Sequence, residues 1–69
     1  MKISARNVFK GKVVEVRPGK VNTEIIIDIP GGQQVVSMIS MESAAHLGLK
    51  KGKTVYAIIK ASSVMVAVD

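Results

Sequence analysis

Three glycine-bearing breaks decide what this chain can become: Arg17-Pro18-Gly19-Lys20, Pro30-Gly31-Gly32 and Lys50-Lys51-Gly52-Lys53. Such clusters interrupt regular structure and leave only short segments between them, which favours strands over long helices. The first segment, Val8 to Val16, alternates apolar and polar residues imperfectly, and the breaker after it offers Pro and Gly to the two central positions of a turn. The second, Val21 to Ile29, is rich in β-branched residues, and the third, Gln33 to Ser40, follows the Pro-Gly-Gly break. All three read as strands in hairpin order.

The period changes over Met41 to Gly48, where Ala44, Ala45 and Leu47 suit a helix, Ser40 is its N-cap and Gly48 its stop. Beyond the lysine-rich turn, Thr54 to Lys60 and Ser63 to Val68 read as two further strands joined by little more than Ala61 and Ser62. The order β-β-β-α-β-β predicts an all-β fold: an OB-type five-stranded Greek-key barrel with one short helix between strands 3 and 4. The chain is read as a single domain over residues 1–69, without internal repeat, linker or low-complexity segment.

A chain of 69 residues buries only roughly 60% of the surface it exposes when unfolded, so its core is marginal. Chains of this size usually add disulfides, a structural metal or subunit association. With no cysteine and one histidine, His46, association is what remains. The apolar fraction, 48%, is more than one small interior can hide. The runs Ile25 to Ile29 and Val64 to Val68 are apolar at neighbouring positions, so both faces of each need cover, which a second subunit can give. A homo-oligomer is expected. No stretch has the layout of a signal peptide or the ~18 apolar residues of a membrane span, which predicts a soluble, cytoplasmic protein without a membrane partner.

The formal charge of +5 suggests an anionic partner. Lys2, Lys10, Lys12, Arg17, Lys20 and Lys60 are dispersed, and only Lys50, Lys51 and Lys53 cluster, as a solvated turn would. An enzyme is not expected, because His46 has no carboxylate at a partner spacing and the five acids are scattered. Glu15, Glu24, Asp28 and Glu42 are too isolated to hold a metal cation. The segment Gly48 to Thr54 imitates a phosphate-binding P-loop but is one residue short and runs helix, turn, strand rather than strand, loop, helix. A nucleic-acid module of OB type needs aromatic platforms, and Phe9 and Tyr56 are the only aromatic residues. No nucleic-acid partner is therefore expected.

What the chain does offer is hydroxyls beside cations at element ends: Ser4 with Arg6, Ser40 with Ser43, and Lys60 with Ser62 and Ser63. Donors so placed suit a small oxyanion, above all at a helix start, where unpaired N–H groups favour negative charge. Plainer readings compete. Ser40 can serve only as an N-cap, and Lys60 can either lie buried near its strand end or carry its ammonium out to water.

The segments Ile3-Ser4-Ala5-Arg6-Asn7, Lys10-Gly11-Lys12-Val13-Val14-Glu15-Val16 and Ser37 to Ala67 together resemble the molbindins. These are small cytoplasmic molybdate-binding proteins, historically called molybdenum-pterin-binding proteins. The likeness covers essentially the whole chain and rests most on Ser-Ala-Arg-Asn at 4–7, on Ser-x-x-Ser ahead of a helix ending Leu-Gly-Leu, and on Ile-Lys-Ala-Ser at 59–62. The same module, the TOBE type, occurs in molybdate-responsive regulators and some transporter ATPases. The resemblance implies a trimer of dimers that holds molybdate or tungstate between subunits, without organic cofactor or metal cation, for intracellular storage or homeostasis. It also implies that Ser4 and Arg6 contact the anion from one side, while Ser40, Ser43 and Lys60 close the pocket from a neighbouring subunit. Ala5, Ala61 and Ser62 would add backbone amides or a hydroxyl, and Asn7 is read as structural. A nucleic-acid module and a ligand-free assembly module are the alternatives.

Overall fold

The computed structural model describes residues 1–69, and its elements run β1 (Asn7–Pro18), β2 (Asn22–Ile29), β3 (Gln33–Ser40), α1 (Met41–His46) and β4 (Thr54–Ile59), with a 3-10 turn at Ala61–Ser63. The strands form one antiparallel sheet in the order β3-β2-β1-β4. Curled, with one short helix after the third strand, it is the OB-type arrangement that the element order predicts.

The Pro-Gly-Gly break turns as expected, with Gly31 and Gly32 at φ of 96° and 80°, a region open mainly to glycine. The Arg-Pro-Gly-Lys break does not turn on its Pro-Gly pair. Arg17 and Pro18 stay in β1, opposite Glu24 and Thr23, and the chain reverses one step later, where the Gly19 amide donates to the Asn22 carbonyl at 2.8 Å. Two contacts hold Arg17 in line: its guanidinium donates to Glu24 across the ladder at 3.2 Å and to Glu15 on its own strand at 2.9 Å. Proline is tolerated there because it ends the strand.

β1 serves two ladders. Residues 7–12 pair with β4 and residues 12–18 with β2, and the change of partner coincides with a bulge between Val13 and Glu15. An extra residue there bends the strand, which lets one long strand join both halves of a curled sheet. Gly11 lies just before the bend. A Cβ at that position would sit 2.2 Å from the Asp28 carbonyl oxygen, so the close approach of β1 to β2 requires glycine.

Val13, Ile25, Ile27 and Ala57 make the core, flanked by half-buried Val16, Ile29, Val35, Ile39, Leu49 and Val55. Ile26 points to the opposite face and is also buried, so the chain itself covers both sides of the isoleucine run. Yet only 6 of 69 residues are buried. The accessible surface is 5639 Å², whereas a folded monomer of 7.3 kDa is expected to expose about 4,200 Å². The surplus marks a chain that leaves much of its apolar surface uncovered.

The expected fifth strand accounts for part of that surplus. Residues 64–69 join no ladder in this chain, and Met65, Val66 and Val68 are each 90% or more exposed. Ala61 to Ser63 form a 3-10 turn rather than a tight hairpin, which carries the C-terminal segment away from β4. Its β-type sequence is intact. What it lacks within one chain is a strand to pair with.

Candidate oxyanion site

Two groups of donors are built by different parts of the fold. The first depends on the last rung of the β1–β4 ladder, where Asn7 faces Ile59. The ladder ends there: Arg6 and Lys60 stand just past the rung on the two strand ends, Ser4 and Ala5 precede Arg6, and Ala61 and Ser62 belong to the 3-10 turn. Asn7 closes the rung by donating its side-chain Nδ2 to the Ile59 carbonyl at 3.2 Å. Ser4, Arg6, Lys60 and Ser62 are exposed, and none of their side chains is engaged by another side chain or by backbone. Lys60 is therefore not buried near its strand end. It stands past β4, as the N-cap residue of the 3-10 turn, with its ammonium in water.

The second group is the start of α1. Ser40 ends β3 opposite Asn22 and caps the helix: its Oγ accepts from the Ser43 amide at 3.1 Å and donates to Ser43 Oγ at 2.9 Å. The Met41 amide is taken by the Val21 carbonyl at 3.2 Å, which ties the helix start to the β1–β2 turn. Glu42 supplies a negative charge in the first turn, where the helix dipole favours it. The register sets this group at the far end of the β2–β3 ladder, and no hydrogen bond links it to the first. The structure thus brings Ser40 together with Ser43 and sets Lys60, which the resemblance groups with those two serines, just past the Asn7–Ile59 rung on the side of Arg6. It does not join the two sets within one chain.

Asn7, read from the sequence as structural, serves the rung through its amide at a strand start. Sequence reasoning missed one contribution: Lys53 caps the helix at its other end, donating from Nζ to the Leu47 and Gly48 carbonyls. A cation a few residues beyond a helix stop was the available signal, because such cations favour the orphan carbonyls there. The stop itself is a Schellman arrangement: Gly48, at φ of 62°, donates to Ala45 and Leu49 donates to Ala44.

No three His, Cys, Asp or Glu side chains converge anywhere in the fold. Phe9 and Tyr56 face Ala57 and Lys10 across the β1–β4 ladder, which puts the two rings on opposite faces of the sheet, where they cannot form one stacking platform.

Residues 3–66 match the TOBE domain. The chain belongs to the molbindin family. A probable molybdenum-pterin-binding protein of Haemophilus influenzae is 54% identical over the full length of both chains. Among solved structures, a molybdate-binding protein from Sporomusa ovata superimposes with a TM-score of 0.92 at 37% identity, covering 99% of this molbindin and all of that chain. The cytoplasmic molybdate-binding protein ModG, with molybdate bound, superimposes with a TM-score of 0.90 at 42% identity, over 94% of this molbindin and 46% of the longer chain.

Proposed function

We propose that this molbindin binds molybdate, with tungstate as a close competitor, at pockets shared between copies of the chain, and that it stores or buffers the oxyanion in the cytoplasm without chemical turnover. The observation that supports the reading is the rung Asn7–Ile59, just past which Arg6 and Lys60 follow on the two strand ends, with Ser4, Arg6, Lys60 and Ser62 exposed and able to donate from their side chains. Ser40 and Ser43 would approach from a neighbouring subunit. Their distance from the first group along the sheet, and the surplus surface of the single chain, favour an assembly that completes the pocket. A homohexamer built as a trimer of dimers suits both.

The donor set predicts the selectivity. Molybdate, tungstate and sulfate are fully ionised acceptors at neutral pH, whereas phosphate partly keeps a proton that needs an acceptor of its own. Phosphate is disfavoured on that ground, and discrimination against sulfate, of equal charge but smaller, depends on the size of the completed pocket. The charge on the anion needs no counter-cation, since Arg6 and Lys60 neutralise it directly. The sequence is also basic overall, which raises the encounter rate with any dianion but does not choose among them.

Calorimetric titration with molybdate, tungstate, sulfate and phosphate in parallel tests the reading. Tight binding of the first two and weak or no binding of the others is the expected result. Indifference to all four would leave only an assembly module, and steep salt-dependent binding of an oligonucleotide in their place would make the chain a nucleic-acid module.

A further inference from the structure

We propose that the second half of β1 and the lysine-rich turn before β4 form a docking groove for an extended, acidic segment of a partner protein, which adds as a strand to the free edge of β1. This goes beyond oxyanion binding and does not depend on it. Three features meet there: an unpaired strand edge, an apolar floor and two uncommitted cations.

β4 pairs with β1 only as far as Lys12, opposite Thr54. The turn then takes one more residue, since the Val13 amide donates to the Lys53 carbonyl at 2.9 Å and the Val13 carbonyl accepts from the Gly52 amide at 2.7 Å. From Glu15 to Pro18, β1 pairs with β2 alone, and the side that faces the turn has no backbone partner. An edge of this kind is a template for a further strand. It is short, and Pro18 closes it, because proline has no N–H to offer.

The bulge shapes the floor. Val14 is the extra residue between Val13 and Glu15, and it is half-buried beside the edge rather than part of the core. Bulges re-aim side chains in this way. With Val16, Pro18 and Leu49 it lines a shallow groove of about 680 Å³, walled on the turn side by Lys50 and Lys51. A strand laid along the edge sends every second side chain onto that floor and leaves the others outside it. The occupant therefore alternates apolar with polar residues.

Charge selects the partner. Of the three lysines in the turn, Lys53 is held by the Leu47 and Gly48 carbonyls, whereas Lys50 and Lys51 are exposed and their ammonium groups make no hydrogen bond or ion pair. Glu15, the one acid lining the groove, is taken by Arg17 at 2.9 Å. Both lysines are thus free for carboxylates that the incoming strand brings, and charge-assisted contacts to them fix its place. A second copy is a poor occupant: the chain carries a charge of +5, its Glu15 and Glu24 are bound by Arg17, and its Asp28 accepts from Gln34. A nucleic acid is a poorer one, since it has no backbone N–H for the β1 carbonyls.

The probe is the acetylated, amidated peptide Glu-Val-Glu-Val-Glu-Val, titrated into the full-length, isotope-labelled protein without any oxyanion and followed by NMR. Saturable binding is expected, with amide shifts and slowed hydrogen exchange confined to Val14 to Arg17 and to Leu49 to Lys51. The double variant Lys50→Glu/Lys51→Glu, with circular dichroism confirming an unchanged fold, should weaken binding by about tenfold or more and gain affinity for Lys-Val-Lys-Val-Lys-Val in its place. The glutamate peptide N-methylated at every residue should not bind, because it cannot pair as a strand. No saturable binding, shifts confined to the β3 or β4 edge, or equal binding of the lysine peptide to the unaltered protein would overturn the proposal. So would binding that survives N-methylation or the double substitution, or an oligonucleotide that moves the same amides as strongly. Protection of those amides that rises with protein concentration before any peptide is added would make the occupant a second copy and overturn it too. Because molybdate is absent throughout, its binding stands or falls separately.

Discussion

Asn7 donates its side-chain amide to the Ile59 carbonyl across the last rung of the β1–β4 ladder, and this one bond aligns two strand ends that carry the proposed anion donors. Asn7→Ala should cost about 1 kcal/mol of stability, the usual net worth of such a bond. It should also weaken molybdate binding, although Asn7 is not proposed to touch the anion. Urea denaturation and calorimetry on one preparation check both effects. A stability loss with unchanged affinity would separate the rung from the site.

Gly11→Ala should destabilise the fold by about 1 to 3 kcal/mol, as overpacking does. The added Cβ meets the Asp28 carbonyl oxygen at 2.2 Å and Ile27 Cγ2 at 2.9 Å, and the first of these is backbone that cannot turn aside. Gly31 is the contrast, with nothing within 4 Å of a Cβ and only its positive φ to satisfy. Gly31→Asn should therefore be milder, because asparagine tolerates the left-handed region better than most residues. Thermal melts of the two variants should rank them in that order.

Strands β2 and β3, the helix with its Ser40 cap and Gly48 stop, and the OB-type order were all legible because each depends on neighbours in sequence. Periodicity, a cap and a glycine at positive φ are local matters. The β1–β2 reversal was misplaced by one step because its position depends on Arg17 reaching Glu24 on the other strand, a contact that turn chemistry alone does not contain. The strand expected over Ser63 to Val68 does not form in this chain, since β-type residues need an edge to pair with and no local rule supplies one. The donor residues could be picked out by kind, and through the family resemblance. Their division into two separate groups follows from the ladder register, which the sequence does not display.

Arg17 holds the Glu15 carboxyl below the ordinary glutamate range, chiefly through their hydrogen bond, and Glu15 with Glu24 raises the guanidinium in turn. The folded chain thus binds the Glu15 proton less tightly than the unfolded chain does. The pair adds stability above the ordinary glutamate pKa and loses it as pH falls through the lower, folded value. Both side chains are well exposed, so the effect on stability is small. The carboxyl resonance of Glu15, followed by NMR through the acid range, should titrate low, and Arg17→Gln should return it upward.

Ser40 and Ser43 separate folding from binding. Ser40→Ala removes the hydroxyl that accepts from the Ser43 amide and should cost about 1 kcal/mol through the lost cap, together with molybdate affinity. Ser43→Ala keeps the amide and hence the cap. It should leave the melting temperature nearly unchanged while still weakening molybdate binding. If calorimetry finds full affinity in Ser43→Ala, the helix start is a cap only.

Lys60→Ala should weaken molybdate binding by tenfold or more, in line with about 1.5 to 3 kcal/mol for a hydrogen bond to a charged group, whereas Lys51→Ala should change it less than about twofold. The comparison is informative because each variant removes one positive charge from an exposed side chain, so the loss of general attraction for a dianion is matched. What differs is place. Lys60 follows directly on the Asn7–Ile59 rung beside Arg6, while Lys51 lies in the turn before β4, near Glu15. Any excess effect at Lys60 therefore measures contact rather than field. Equal effects in calorimetric titrations would take Lys60 out of the pocket and leave its charge as part of the basic background.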